Sequence, residues 1–339
     1  MCTPLTDSGS PDLSYISSAA DNLSRQQIKD KLIILESSTY PGTTEEIVLP
    51  ILESGGLEAG HDFFLAYSPE RINPGVNHSA LDKEPKIISG KTERCLQKIS
   101  ELYSSIFVKV VPVSSLHTAE MVKIMENSQR FVNISFVNEM AIFCEKLKID
   151  IWEVIQAIAT KSVGDPIFYP GPGIGGHCIP VDPVYLNWKG NQLGLMSKLI
   201  DHSSYINDNM PKYIVDRIKN MLNDIDKSIA PTILLIGVTY KKDVNDFRES
   251  KALEIMSILI EEGFNVLYHD PFVQSVNIAG KNFDSVPITD DLLKSADCTA
   301  VLTNHTSIPW DQIISNSPLI FDTRNVTKNI KNSAYIEKL

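Results

Sequence analysis

From Ser114 to Leu147 the chain contains neither proline nor glycine. A stretch that long without a breaker has one local solution: a single helix of about 30 residues, against an average near ~11–12. Met121, Ile124, Met125, Phe131, Val132, Phe136, Met140 and Phe143 put apolar side chains around most of its circumference. Such a helix is buried in a large core or an interface. Glu120, Lys123, Asn127 and Arg130 recur every three or four residues and therefore share one stripe. Taken alone, the stripe reads as a solvated face. On an otherwise buried helix, Asn127 and a lysine fit a site better.

Both flanks of this helix read as α/β. Before it, residues 31–37, 63–67 and 86–90 suit buried strands, and residues 12–29 (with Asp12 as cap), 44–53 and 95–107 suit helices. Beyond it, residues 150–160 and 195–223 are helical, and a polar stretch at 224–231 marks a boundary. Strands at 232–238, 265–271, 300–303 and 319–322 then follow, with an amphipathic helix over 250–262 that ends at Gly263. Strands alternating with helices imply parallel sheets, whose working residues lie beyond the carboxyl ends of the strands. Thr39 and Glu70 fall at such ends. The fold class is α/β: two Rossmann-like parallel-sheet domains, residues 1–112 and 226–339, joined by the long helix and a helical middle domain, residues 113–225.

The segment Gly171-Pro172-Gly173-Ile174-Gly175-Gly176-His177-Cys178 carries the strongest chemical signal, with Asp182 four residues on. Glycine at this density lets backbone approach a neighbour closely, and the N–H groups of such a loop can form an anion-binding nest. Cys178 has the polar neighbourhood of a working thiol rather than the apolar wrapping of a structural one. A turn-rich connector with an incidental cysteine is the bland alternative. Residues 239–250 follow a strand of the last α/β block, where a doubly wound sheet binds phosphates. They lack a Gly-x-Gly-x-x-Gly pattern, so phosphate capture falls to Lys241 and Arg248 unless the loop is merely solvated.

Composition removes several classes. The 339 residues carry a net charge of −11, which makes nucleic acid an unfavourable partner. No apolar run reaches the ~18 residues that span a bilayer, and the N-terminus lacks a signal peptide's basic and apolar regions. The five cysteines are odd in number and widely spaced. That argues against a disulfide framework and against a metal site, and points to a reducing cytoplasm.

Five separated motifs occur in order: Ser-Thr-x-Pro-Gly-Thr, Ser-Pro-Glu-Arg, Lys-x-x-x-Asn on the long helix, Gly-Gly-His-Cys-x-Pro-x-Asp, and Tyr-Lys-x-Asp-x-x-Asp-x-Arg-x-Ser. From Thr3 to about Val326 the chain resembles the nucleotide-sugar 6-dehydrogenase family. Its glycine loop is most similar to the branch acting on UDP-N-acetylhexosamines. The resemblance implies oxidation of a sugar C6 alcohol to a carboxylate in two steps with NAD, for surface polysaccharide precursors. It makes Cys178 the nucleophile that holds a thiohemiacetal and then a thioester. Lys123 and Asn127 would steady the oxyanion, Asp182 and Thr39 would order the hydrolytic water, and Glu70 would assist as a base. Gly171, Gly173, Gly175 and Gly176 would wrap the UDP-sugar, with Lys241 and Arg248 contacting it and His177 either selecting the sugar or simply packing. Thr3, Pro4 and Thr39 would border the nicotinamide. A homodimer, or a multiple of it, would form through the long helix.

The resemblance also carries a departure. Such proteins begin with a βαβ unit bearing Gly-x-Gly-x-x-Gly and an acidic ribose ligand, whereas Thr3-Pro4-Leu5 resembles a turn well after it. The first domain is therefore expected to be short at its front, with an exposed parallel-sheet edge. This leaves a second reading, an inactive nucleotide-sugar-binding module that does not cycle NAD. A third, a thiol hydrolase with Cys178, has only His177 adjacent as a base.

Overall fold

A computed structural model describes residues 3–6, 8–71, 83–161, 166–223, 230–329 and 335–339. Most of the polar boundary expected at 224–231 lies outside the described residues. The chain forms two compact units, Met1–Arg130 with Cys178–Ile200, and Phe131–His177 with Asp201–Leu339. The middle segment is thus shared between the two units.

The first unit is built on a four-stranded sheet in the order β1 (Leu32–Leu35), β2 (Phe64–Tyr67), β3 (Lys86–Gly90), β4 (Val110–Pro112). β2 reads Phe-Leu-Ala-Tyr and is buried throughout, as expected of a strand covered on both faces. β1 pairs with β2 in parallel and β3 with β4 in parallel, but β2 and β3 run antiparallel, with Ala66 opposite Gly90. The sheet is mixed, not parallel as the alternation of elements suggests. A parallel return needs a packed crossover, usually a helix. Residues 68–85 carry Pro69, Pro74 and Pro85 and no helical apolar period. Helix α1 (Ser14–Ser24) starts behind Asp12, whose carboxylate accepts from the Ser14 N–H at 2.9 Å. The single helix expected at 44–53 is instead a π-helical turn over Thr44–Val48 leading into α2 (Leu49–Glu53), with Pro50 unable to donate backward. Helix α3 (Glu93–Ser104) is capped by Thr92, which accepts from the Cys95 N–H.

Helix α4 (Leu116–Leu147) runs unbroken as expected. Its buried side is mixed, with Ile124 and Phe131 beside polar groups. Glu120, Lys123, Asn127, Ser135 and Asn138 are buried, whereas Met125, Phe136 and Phe143 are more than half exposed. The stripe is therefore not a solvated face. Helix α6 (Asp182–Gln192), unforeseen in the sequence, follows Cys178 with Pro183 in its first turn.

The second unit holds a fully parallel five-stranded sheet in the order β11 (Tyr335–Lys338), β10 (Leu319–Asp322), β9 (Cys298–Val301), β5 (Thr232–Ile236), β6 (Asn265–His269). Helices α5 (Ile151–Ile158), α7 (Lys198–Met221) and α8 (Lys251–Glu261) contribute to its core, where Trp152, Ile214, Ile218, Ile255, Met256 and Leu259 pack with Ile233, Leu235 and Phe321. A hairpin, β7 (Ser275–Ile278) and β8 (Lys281–Asp284), and two short helices, α9 (Asp290–Ser295) and α10 (Trp310–Asn316), complete it. Strand order reverses between β5 and β9. Beyond their carboxyl ends lies the crevice where such sheets bind ligands.

Candidate active site

In the first unit the chemistry gathers around Asp182. The Asp182 and Val181 N–H groups both donate to the Cys178 carbonyl, at 2.9 and 3.2 Å. Cys178 and Asp182 are thus one helical turn apart, at the entrance to α6. Cys178 is exposed, while Asp182 is 2% exposed. The Asn127 side-chain amide donates to the Asp182 carboxylate at 2.5 Å, and the Arg130 guanidinium donates to the Asn127 carbonyl oxygen. Burial pushes the Asp182 carboxyl up to about 6, against the Asn127 hydrogen bond and the charges of Lys123 and Arg130, which pull it down. Near neutral pH such a carboxylate is ionised yet basic enough to take a proton.

Lys123 and Asn127 sit one turn apart on the buried stripe of α4, both 8% exposed or less. An ammonium and an amide on that stripe can stabilise a developing oxyanion. Glu120 ends the stripe at 0% exposed. Its carboxylate accepts from the Gly42 N–H (2.6 Å), the Thr44 N–H (2.9 Å) and the Thr44 hydroxyl (2.6 Å). Burial still holds its carboxyl above the ordinary range, although these donors oppose it. Glu120 thereby fastens the turn that carries Thr39, which is also fully buried. The sequence marked Glu120 as part of the stripe, but its anchoring role is visible only in space.

The same turn is held from α6. Tyr40 lies 5.0 Å from the Trp188 ring and 6.4 Å from Tyr185, centroid to centroid, and Lys189 pairs with Glu46 at 2.6 Å. The Tyr185 hydroxyl donates to the Pro4 carbonyl at 2.8 Å, and Thr3 is buried. Thr3, Pro4 and the Thr39–Tyr40 turn are tied together through Tyr185. This set of hydroxyl, carbonyl and aromatic groups lies beyond the carboxyl end of β1. Glu70 is placed differently: it pairs with Lys86 at 3.5 Å, and Lys86 also binds Glu36 at 2.8 Å. Its known partner is thus a buried lysine on β3, a residue the sequence did not single out. Arg71 of the same motif binds Glu126 of α4 at 2.7 Å.

In the second unit the glycine loop packs on residues 240–251. A Cβ at Gly175 would lie 2.5 Å from the Glu249 carbonyl oxygen, and Gly176 has φ +86° with the Tyr240 ring against it. Close approach is therefore real, but the neighbour is protein. The loop's amides are also committed: Gly171 N–H to Asn138, Ile174 N–H to Asn207 and Gly176 N–H to the Arg248 carbonyl. The expected anion nest does not form from these three donors. His177 is half-buried, and burial, then the Arg248 charge, lowers its pKa. Arg248 is paired with Asp246 at 2.7 Å, and burial lowers the Lys241 pKa.

A cavity of about 370 Å³ opens beside this loop, lined by Trp152, Gln156, Tyr169, Arg324, Asn325 and Lys328 among others. Trp152 and Tyr169 stack at 6.2 Å, and the half-buried Arg324 guanidinium, its pKa pushed down by desolvation to about 10, packs where a Gly171 Cβ would stand. Aromatic faces, amides and two cations suit a base joined to phosphates. The sequence reading missed this cavity because its residues are scattered over more than 170 positions; Asp322-Thr323-Arg324 after a strand was the available signal.

The sequence matches the UDP-glucose/GDP-mannose dehydrogenase family over three segments: its NAD binding domain at residues 1–107, its central domain at 117–209 and its UDP binding domain at 234–329. A UDP-N-acetyl-D-glucosamine 6-dehydrogenase of Pseudomonas aeruginosa is 37% identical over 80% of this chain and 65% of its own length. A UDP-N-acetyl-D-mannosamine dehydrogenase of Campylobacter jejuni is 33% identical over 91% of this chain and 77% of its own. The solved structure of UDP-D-ManNAc dehydrogenase from Pyrococcus horikoshii superposes with TM-score 0.88 and 30% identity, covering 100% of this chain and 79% of that one.

Proposed function

Because the chain belongs to the UDP-glucose/GDP-mannose dehydrogenase family, we propose that it oxidises the C6 alcohol of a UDP-N-acetylhexosamine to the carboxylate through a covalent intermediate on Cys178. Two NAD molecules, bound in succession, would each accept one of the two hydrides that this four-electron oxidation releases, and Thr3, Pro4 and Thr39 would border the nicotinamide. The observation that carries the reading is the Cys178–Asp182 turn: an exposed thiol one helical turn from a buried carboxylate whose pKa is about 6.

The roles follow from the chemistry. Cys178 thiolate adds to C6 of the aldehyde, forming a C–S bond, and Lys123 with the Asn127 amide balances charge on O6. After the second oxidation the carbon is held as a thioester. Water then forms the new C–O bond, Asp182 takes its proton, and the C–S bond breaks to return the thiolate and release the uronate. Glu70, half exposed beside Lys86, serves as a supporting base. The Trp152–Tyr169 cavity and Arg324 would receive uridine diphosphate, and Gly171, Gly173, Gly175 and Gly176 shape the loop, with His177, Lys241 and Arg248 as polar contacts to the substrate. The organisation remains three functional segments, 1–112, 113–225 and 226–339. The reaction belongs in the cytoplasm, its product is of the kind built into surface polysaccharide, and the exposed face of α4 joins two copies. Among the described residues no helix is long and apolar enough to cross a membrane.

Cys178→Ser tests the mechanism. Loss of acid formation of about 10³-fold or more, with UDP-hexosamine binding retained, is expected. Unchanged acid yield removes Cys178 from the reaction. UDP-sugar binding by the unaltered chain, without any NAD reduction, would favour the inactive binding module instead.

A further inference from the structure

The turn after β1 holds a run of hydroxyls whose hydrogens can be followed one by one. Thr44 Oγ1 donates to Glu120 Oε1 at 2.6 Å. Thr43 Oγ1 donates to the Tyr40 carbonyl at 2.8 Å. Thr39 Oγ1 meets Thr43 Oγ1 at 2.5 Å. A threonine hydroxyl has one hydrogen and two lone pairs. Since Thr43 has spent its hydrogen on Tyr40, the hydrogen between the two threonines belongs to Thr39. All three threonines and Glu120 are 0% exposed, so no bulk water offers a competing arrangement.

We infer that Thr43, fixed between the two residues anchored by Glu120, is a positioning residue that makes Thr39 an obligate hydrogen-bond acceptor toward any further partner. The inference rests on the function proposed above, in which Thr39 and Asp182 order the water that cleaves the Cys178 thioester. The direction matters to that step. A water that donates one O–H to Thr39 and the other to the Asp182 carboxylate keeps a lone pair free for the thioester carbon. As the C–O bond forms, its proton passes to Asp182, and the C–S bond then breaks to release thiolate. A Thr39 that donated to the water would instead draw on one of the water's two lone pairs and leave one O–H without an acceptor, which lowers its nucleophilicity and leaves its orientation unfixed. Glu120 supplies the frame: its two oxygens hold the backbone N–H of Gly42 and of Thr44 on either side of Thr43.

Thr43→Val removes the acceptor while keeping the shape, and Thr43→Ser keeps it. With a UDP-N-acetylhexosamine and NAD, Thr43→Val should complete the oxidations to the thioester but hydrolyse it about 10–100-fold more slowly. The enzyme should then accumulate as a Cys178 acyl adduct in its intact mass, with the KM for the UDP-sugar unmoved and Thr43→Ser close to the unaltered enzyme. Hydrolysis at the unaltered rate in Thr43→Val, or equal impairment in Thr43→Ser, overturns the assignment. A second readout needs no turnover. The Thr39 hydroxyl proton, buried in a short bond, should give a slowly exchanging downfield NMR resonance, absent in Thr39→Val and Thr43→Val and present in Thr43→Ser. A spectrum without it, or its survival in Thr43→Val, also overturns the assignment. Absence of NAD reduction by the unaltered enzyme with every UDP-hexosamine sinks the proposed function, and the hydroxyl resonance then decides the inference alone.

Discussion

At the residue scale, Asp182 concentrates the argument, because its burial shows in both stability and rate. Its folded carboxyl titrates at about 6, above the unfolded 3.8, so the native state binds the proton more tightly. Its burden on stability is therefore small below about pH 4, grows as pH rises, and is complete above about 6, reaching about 3 kcal/mol. Asp182→Asn should be more stable than the unaltered protein at pH 7.5 and lose that advantage near pH 4, as read by denaturant melts at both values. The acid-forming rate should rise with pH through an apparent pKa near 6, a limb absent in Asp182→Asn. Equal pH dependence in the two proteins would exclude Asp182 as the base. Cys178, Lys123, Asn127 and Asp182 could be picked out in the sequence as candidates, from residue type and from the ordered motifs that carry the family resemblance. The commitment of Glu120 could not, because its hydrogen bonds join residues 76 and 78 positions apart, and that of Thr43 depends on the turn geometry that Glu120 fixes.

At the element scale, the glycine loop and α4 both do something other than local pattern suggests. The loop's glycines admit Tyr240 and Glu249, and three of its amides serve Asn138, Asn207 and Arg248. Gly176→Ala places a side chain at φ +86° against the Tyr240 ring. We expect it to cost about 1–3 kcal/mol of stability and to weaken UDP-sugar binding, measured by thermal melts and calorimetric titration. A variant with unaltered melting and affinity would show that the loop tolerates a Cβ there. Helix α4 was foreseen almost to its ends from the missing breakers. Which side it buries was not, because a helix carrying apolar and polar stripes together leaves the choice to its neighbours. In the fold, the Asn127 amide meets the Asp182 carboxylate and Glu120 meets the Gly42 and Thr44 amides in the interior. Helix α6 was signalled by Asp182-Pro183, an acidic residue and a proline at a helix start, and passed unread.

At the scale of the whole molecule, Phe136 and Phe143 stand 56% and 59% exposed on α4, a large apolar surface for a single chain to leave in water. If this face joins two copies, Phe136→Glu with Phe143→Glu should halve the mass found by light scattering; an unchanged mass would place the contact elsewhere. The sequence by itself determined the α/β class, the long helix and the fully parallel second sheet, because hydrophobic period and breaker placement act within a few residues of chain. It also determined which side chains are chemically able to act. Only the tertiary structure decided that β3 reverses in the first sheet, that a carboxylate is buried deeply enough to hold a proton near neutral pH, and that an arginine on one loop fills the space a glycine on another leaves. Those outcomes depend on desolvation and on contacts between distant segments, and both arise only once the chain has closed on itself.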